Sequence, residues 1–181
     1  MKYNELIAEA YQTFYHGSNQ PISEFSLDFI GRAEAIDQEG PGIYLTSSAQ
    51  DAMKYGKHVH IVKVKVVKSR LMPERRTLNS EFIRGLIYKS PNRDDVLQNW
   101  DENPQRALVA ATRSIMDSYG PNEYREALEQ IWADFYRGHE KQWLTRMRSL
   151  GWDGFLLDRQ DGVKHLISFV PENLTIEGEI S

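Results

Sequence analysis

The sequence contains no cysteine, and this absence removes several kinds of chemistry. Without a thiol among 181 residues, disulfides, thiolate metal sites and cysteine nucleophiles are excluded. Also missing are a phosphate-binding glycine loop of the P-loop or dinucleotide type and the Gly-x-Ser-x-Gly elbow of serine hydrolases. Any catalysis must therefore use other side chains.

Long apolar runs are missing too. No stretch approaches the roughly 18 apolar residues that cross a bilayer, and the first residues lack the apolar core of a signal peptide. We therefore expect a cytoplasmic protein with no membrane partner. Apolar residues make up 40% of the chain and charged residues 27%, which is typical of a globular domain.

Basic residues are concentrated in one segment, although the net charge is −4 and disfavours a general nucleic-acid binder. Between residues 54 and 76 the only acid is Glu74. Eight basic residues occupy the same segment: Lys54, Lys57, Lys63, Lys65, Lys68, Arg70, Arg75 and Arg76. This basic strip is either a surface for a phosphate-bearing ligand or a solvated strand face.

The only close histidine pair is His58 and His60. Residues two apart on a strand share a face and can chelate zinc. No third histidine or nearby carboxylate completes a ligand set, so we expect no metal site.

The hydrophobic patterns predict an α+β protein, with strand-rich ends around a helical insertion. We interpret residues 1–181 as a single domain and residues 79–150 as the insertion. The predicted strands cover residues 14–16, 43–45, 58–67, 155–158 and 164–170. The predicted helices cover residues 1–11, 49–55, 106–119, 122–137 and 140–150.

Two short motifs carry the functional signal. His16-Gly17-Ser18 ends the first predicted strand, and Gly40-Pro41-Gly42-Ile43-Tyr44-Leu45 leads into the second, with Tyr55 eleven residues after Tyr44. In this order and spacing the motifs resemble the ADP-ribosyltransferase superfamily, in its diphtheria-toxin and poly(ADP-ribose)-polymerase-like branch with a His-Tyr-Glu signature. The resemblance implies a split β-sheet core and NAD as the ADP-ribose donor.

The resemblance also implies roles for individual residues. His16 would hydrogen-bond the adenosine ribose of NAD, and the Gly17 backbone would hold the nicotinamide amide. Tyr44 and Tyr55 would sandwich the nicotinamide ring, since an electron-poor pyridinium prefers aromatic faces. The full binding set expected on this basis is His16, Gly17, Ser18, Tyr44, Thr46, Ser47 and Tyr55.

The third residue of the signature departs from the family. Where the family has a glutamate at the start of a late strand, this sequence has His165. A histidine supplies no permanent negative charge, so either the activity is lost, the site uses a changed nucleophile, or a carboxylate comes from elsewhere. Asp158, at the end of the partner strand, is the favoured candidate beside His165, and Asp161 in the intervening turn is the other. Ala52 stands where polymerase-type members usually have a serine, for which Ser47 or Ser48 would compensate.

We therefore expect a mono-ADP-ribosyltransferase of bacterial or phage effector or toxin type, with His16, Tyr44, Asp158 and His165 as the catalytic set. Its partners would be NAD, a macromolecular acceptor, protein or nucleic acid, and an antitoxin or regulator. Two alternatives stay open. One is a non-catalytic module that binds NAD or ADP-ribose. The other is an RNA-directed enzyme, either a 2′-phosphotransferase or a small ribonuclease using His16, His58 or His60.

Overall fold

A computed structural model describes residues 10–30, 40–119, 122–159 and 161–180. These residues form two compact units. The first takes in residues 10–30, 42–72, 144–159 and 161–180 and contains the β-sheet, and the second takes in residues 40–41, 73–119 and 122–143 and is helical. The predicted α+β class is confirmed. The helical unit over residues 73–119 and 122–143 overlaps the segment 79–150 that the sequence predicted as a helical insertion.

The sheet has six antiparallel strands in the order β4-β5-β2-β1-β3-β6. The strands are β1 (Ala10–Ser18), β2 (Ile43–Thr46), β3 (His58–Val66), β4 (Gly154–Asp158), β5 (Lys164–Ser168) and β6 (Leu174–Ile180). β4 and β5 form the hairpin that their apolar runs and the intervening turn predict.

The sheet is split between its two central strands. Strand β1 pairs with β3 along its whole length, from Ala10 to Ser18. Against β2 it makes a single pair, Tyr15 with Thr46. Two three-stranded blocks therefore meet at one point, and residues 16–18 of β1 pair with β3 alone. This is the split sheet that the resemblance implied.

Side-chain alternation gives the sheet a core face and a second face. Val62, Val64 and Val66 lie on the core face of β3 because residues two apart on a strand point the same way. The apolar cluster on this face consists of Phe14, Ile43, Leu45, Val62, Val64, Val66 and Leu166. The second face carries Tyr15, Thr46 and His165, which the register sets side by side across β1, β2 and β5. Helix α1 (Ala49–Ala52) lies against this second face.

Two elements of the first unit differ from the sequence expectations. The helix predicted for residues 1–11 is wrong at its C-terminal end, because Ala10 and Tyr11 belong to a strand and pair with Val66 and Lys65 of β3. Residues 1–9 lie outside the described residues. Strand β6 was missed, although Leu174, Ile176 and Ile180 alternate with polar residues as a half-buried strand requires.

The second unit consists of helices. The apolar stripes over residues 106–119, 122–137 and 140–150 were predicted from sequence, whereas the first two helices of the unit were not predicted individually. The helices are α2 (Ser80–Tyr88), α3 (Arg93–Leu97), α4 (Pro104–Tyr119), α5 (Tyr124–Phe135) and the first turn of α6 (Glu140–Ser149). Asn79 caps α2 by accepting hydrogen bonds from the Glu81 and Phe82 amides. Among all helices in the described part of the chain, none is long and apolar enough to cross a membrane.

Candidate active site

Two glycines bring the segment after α1 into backbone contact with the end of β1. A Cβ atom on Gly17 would lie 1.9 Å from the carbonyl oxygen of Ala52. A Cβ atom on Gly56 would lie 2.1 Å from the carbonyl carbon of Ser18. Since real Cβ contacts stay beyond 3.0 Å, both positions require glycine. The space left by the absent side chain of Gly17 is therefore occupied by the Ala52 backbone.

The backbone contact between Gly17 and Ala52 positions the exposed ring of Tyr55 beside the split in the sheet. Tyr55 donates its backbone N–H to Ala52 at 3.0 Å, and its Cβ atom lies 3.2 Å from the position of a Gly17 Cβ. The residue is nevertheless 55% exposed. A ring held by its backbone but open to solvent is suited to stack on a flat ligand.

His16 bridges the split with its side chain. Its Nδ1 lies 2.8 Å from the carbonyl oxygen of Tyr44, and because a carbonyl only accepts, Nδ1 carries the proton. Burial lowers the pKa of His16; the Tyr44 carbonyl opposes this shift, and the neighbouring His60 adds to it. The ring is therefore neutral at pH 7, with Nε2 as a hydrogen-bond acceptor.

Ser18 and His60 support His16 from the core face. Ser18 donates its hydroxyl proton to the Gln20 carbonyl, so His60 Nε2 must be the donor in its 3.1 Å contact with Ser18 Oγ. His60 is 1% exposed and stacks on His16 with ring centroids 6.4 Å apart. The Ser18 hydroxyl and the His60 ring are thus already hydrogen-bonded within the protein.

His16 and Gly17 are adjacent in sequence but serve opposite faces of the sheet. His16 lies on the face of Phe14 and His60, whereas Gly17 faces α1. Tyr44 is half-buried on β2, opposite Ile167, and its backbone carbonyl holds His16. The open edge of β1 at residues 16–18 therefore has a histidine acceptor on one side and the exposed Tyr55 ring on the other.

His165 lies beside a carboxylate, and that carboxylate is Asp51. His165 Nε2 and Asp51 Oδ2 are 2.7 Å apart, and the two side chains are 8% and 11% exposed. The other oxygen of Asp51 accepts a hydrogen bond from the Lys54 ammonium at 2.8 Å. Burial by itself would raise the pKa of Asp51, but hydrogen bonds from Lys54, His165 and Thr46 outweigh it and lower the pKa. Asp51 is therefore ionised at neutral pH.

Because Thr46 accepts the hydrogen bond of the Ser48 amide, the Asp51 carboxylate is available to contact His165. Ser48 caps α1 by accepting the Asp51 amide at 3.2 Å, and a carboxylate at that third helical position usually reaches back to the amide of the capping residue. Here the Ser48 amide donates to Thr46 Oγ1 instead, at 3.3 Å. Sequence reasoning overlooked Asp51 because Ser48-x-x-Asp51 is typical of a cap; the preceding Thr46 was the available signal.

The two aspartates favoured from the sequence lie elsewhere. Asp158 pairs with Lys164 across the β4–β5 hairpin, 3.6 Å from its ammonium, and its side chain is 74% exposed. His165 is paired with Leu157, so alternation directs Asp158 to the opposite face. Asp161 is exposed and accepts the Val163 amide within the turn. The structure brings neither aspartate to His165.

Thr46 and Ser47, expected in the binding set, hold this region together. Thr46 is 4% exposed. Ser47 donates its amide to the Lys164 carbonyl at 2.8 Å, and its hydroxyl oxygen accepts the Lys164 amide at 2.9 Å. These bonds fasten the end of β2 to the start of β5, and therefore fix where His165 lies relative to α1.

The basic strip is partly neutralised by acids on neighbouring elements. Lys54 forms an ion pair with Asp51, Lys63 with Glu177 and Arg70 with Asp153. His58 contacts Glu179 on β6 at 2.6 Å. This pairing favours the interpretation of the strip as a solvated strand face. It also leaves His58 and the buried His60 poorly suited to the acid and base roles of a ribonuclease.

Residues 10–175 match the family model described as ADP-ribosyltransferase in polyvalent proteins. No curated protein matches the chain. Among solved structures, a crystal structure of an anti-CRISPR protein is similar, with 17% identity, a TM-score of 0.37, and coverage of 97% of this chain and 99% of that one. Because the family model spans most of its length, the chain belongs to the ADP-ribosyltransferases of polyvalent proteins.

Proposed function

We propose that this protein transfers a single ADP-ribose unit from NAD to a macromolecular acceptor. Membership of the ADP-ribosyltransferase family supports the reaction class. One observation carries the proposal to this chain: the backbone contact of Gly17 with Ala52 holds the exposed Tyr55 ring at the open edge of β1. A pyridinium ring has a stacking partner there.

The two sides of this edge suit the two ends of NAD. On the core-face side, His16 Nε2 is an acceptor for a ribose hydroxyl, since Nδ1 is held by the Tyr44 carbonyl. On the other side, Tyr55 offers its ring face to nicotinamide. Binding of the dinucleotide across this strand edge would therefore use His16 of β1 for one end and Tyr55, which contacts Gly17 of β1, for the other.

The reaction itself is a substitution at the nicotinamide ribose. The bond from ribose C1′ to the nicotinamide nitrogen breaks and its electron pair leaves with neutral nicotinamide. A lone pair of the acceptor nucleophile forms the new bond to C1′, and the nucleophile gives up one proton. Positive charge builds up on the ribose in the transition state, so a nearby negative charge accelerates the step.

Transfer of one unit, rather than a chain, is supported by His165. In the branch that this sequence resembles, chain elongation accompanies the glutamate that His165 replaces. An acceptor outside the protein would make the enzyme an effector or toxin, with a cellular macromolecule as its target and an antitoxin or other regulator as a further partner.

The test is to incubate the protein with NAD labelled in its adenylate moiety and with a bacterial lysate. Nicotinamide release and label in macromolecules are followed together. We expect both signals for the natural protein and a loss of about 10- to 100-fold for Tyr55→Ala, because base–aromatic stacking contributes about 1–3 kcal/mol.

Tyr88→Ala is the matched control, since Tyr88 is also 55% exposed but lies on α2. Its activity should equal that of the natural protein. The proposal fails if neither nicotinamide release nor labelling exceeds background. NAD binding by calorimetry without either signal would instead identify a binding module.

A further inference from the structure

We infer that Asp51 and His165 act as a pair that replaces the missing glutamate, with His165 accepting the proton of the acceptor nucleophile and Asp51 positioning its ring and supplying the negative charge. This inference rests on the proposed function and names the residues that perform its proton transfer. It assigns a catalytic role to His165 and a positioning role to Asp51.

The first support is location. On the second face of the sheet, His165 lies opposite Thr46, and Thr46 lies opposite Tyr15. This row crosses the single pair that joins the two halves of the sheet. Gly17 is two residues beyond Tyr15 on the same face, beside Ala52 and Tyr55. His165 and the proposed nicotinamide side of the edge thus share one face.

The second support is the orientation of the imidazole. The Asp51 carboxylate only accepts, so His165 Nε2 carries the proton in the 2.7 Å contact. Nδ1 is then the basic nitrogen, and within the described residues no donor contacts it. A base held in one tautomer by a buried carboxylate is the arrangement that general-base catalysis requires.

The third support is that Asp51 is kept in its charged form. Lys54 and His165 each donate to one of its oxygens, and its pKa is lowered despite burial. When His165 takes up a proton, the carboxylate 2.7 Å away stabilises the imidazolium. The pair, which carries one negative charge before the transfer, is then neutral, and the proton is later released to water.

A purely structural role is the competing explanation, because the pair also ties α1 to β5. His165→Gln separates the two explanations. Its side-chain amide can still donate to Asp51, so an anchor survives, but an amide cannot take up a proton. Asp51→Asn removes the charge and leaves an isosteric side chain.

The experiment measures kcat and KM for nicotinamide release with acceptor-containing lysate, and the NAD dissociation constant by calorimetry, for variants whose fold is checked by circular dichroism. We expect kcat to fall about 10²- to 10⁴-fold in His165→Gln and Asp51→Asn. The NAD dissociation constant should change by less than about threefold, because an interaction made only in the transition state does not alter ground-state binding.

The double variant Asp51→Asn with His165→Glu is the diagnostic control. It moves the carboxylate from residue 51 to residue 165, where the new side-chain amide at position 51 can donate to it, so kcat should rise at least about tenfold above that of Asp51→Asn. Activity of His165→Gln within about threefold of the natural protein overturns the inference and leaves the proposed function standing. If the natural protein releases no nicotinamide, the proposed function and the inference both fail.

Discussion

Replacing Gly17 by alanine should damage the candidate site more than the sheet around it. The new Cβ would lie 1.9 Å from the Ala52 carbonyl oxygen, and contacts below 3.0 Å essentially never occur. The obstacle is backbone, so no side chain can rotate away. Either β1 or the segment from Ala52 to Gly56 must therefore move by about 1 Å.

The size of the Gly17→Ala effect on stability and activity follows from the segment that must move, because the segment from Ala52 to Gly56 contains Tyr55. Overpacking of this kind costs about 1–3 kcal/mol in the free energy of unfolding. The same displacement moves Tyr55, whose Cβ is 3.2 Å from the alanine position. Misplacing a substrate-positioning group by about 1 Å costs on the order of 10²-fold in rate. We therefore expect a modest loss of stability and a large loss of nicotinamide release.

Gly178→Ala is the matched control, since Gly178 is a strand glycine of the same sheet whose Cβ would meet Ile61 at an ordinary 3.9 Å. Its unfolding free energy should stay equal or rise by up to about 1 kcal/mol. Urea titrations and nicotinamide assays are run on both variants. The reasoning is refuted if Gly17→Ala keeps the natural stability and activity, because the close contact with Ala52 would then not exist.

Two further predictions concern pH. The pKa of Asp51 is lowered below 3.8, so its contribution to stability is present above pH 3.8 and is lost as pH falls through the folded-state value; urea midpoints of Asp51→Asn and the natural protein should converge in acid. The pKa of His16 is lowered below 6.5, so the natural protein should lose stability as pH falls below 6.5. His16→Gln keeps a donor for the Tyr44 carbonyl and should lack that dependence between pH 7 and 5.

Much of the fold could be predicted because local patterns agree with the tertiary contacts. Alternation in β3 predicted 58–67, and the strand runs from His58 to Val66. The apolar stripe of α4 predicted 106–119, and the helix is Pro104–Tyr119. The helix expected over residues 1–11 fails at Ala10 and Tyr11, because a hydrogen-bonded partner strand outweighs a weak helical stripe.

The candidate site was less predictable, and Gly17 shows why. The motif around it indicated an ADP-ribosyltransferase, whose family the chain shares. The resemblance assigned the backbone of this glycine to a contact with nicotinamide, and in the structure the Ala52 carbonyl occupies the space of its missing side chain. A motif records that a small residue is needed. The three-dimensional structure identifies the atom that occupies the space, which is the Ala52 carbonyl oxygen.

The carboxylate beside His165 could not be found from hairpin proximity. Asp158 is close in sequence, but pairing Leu157 with His165 directs it to the other face. Asp51 is far away in sequence, and it reaches His165 because α1 packs on the second face while Thr46 takes over its capping duty. Because Thr46 both accepts the Ser48 amide and hydrogen-bonds the Asp51 carboxylate, Thr46→Val should let Asp51 return to the Ser48 amide. NMR should then show the hydrogen bond between Asp51 and His165 weakened, and an unchanged His165 signal would contradict this account.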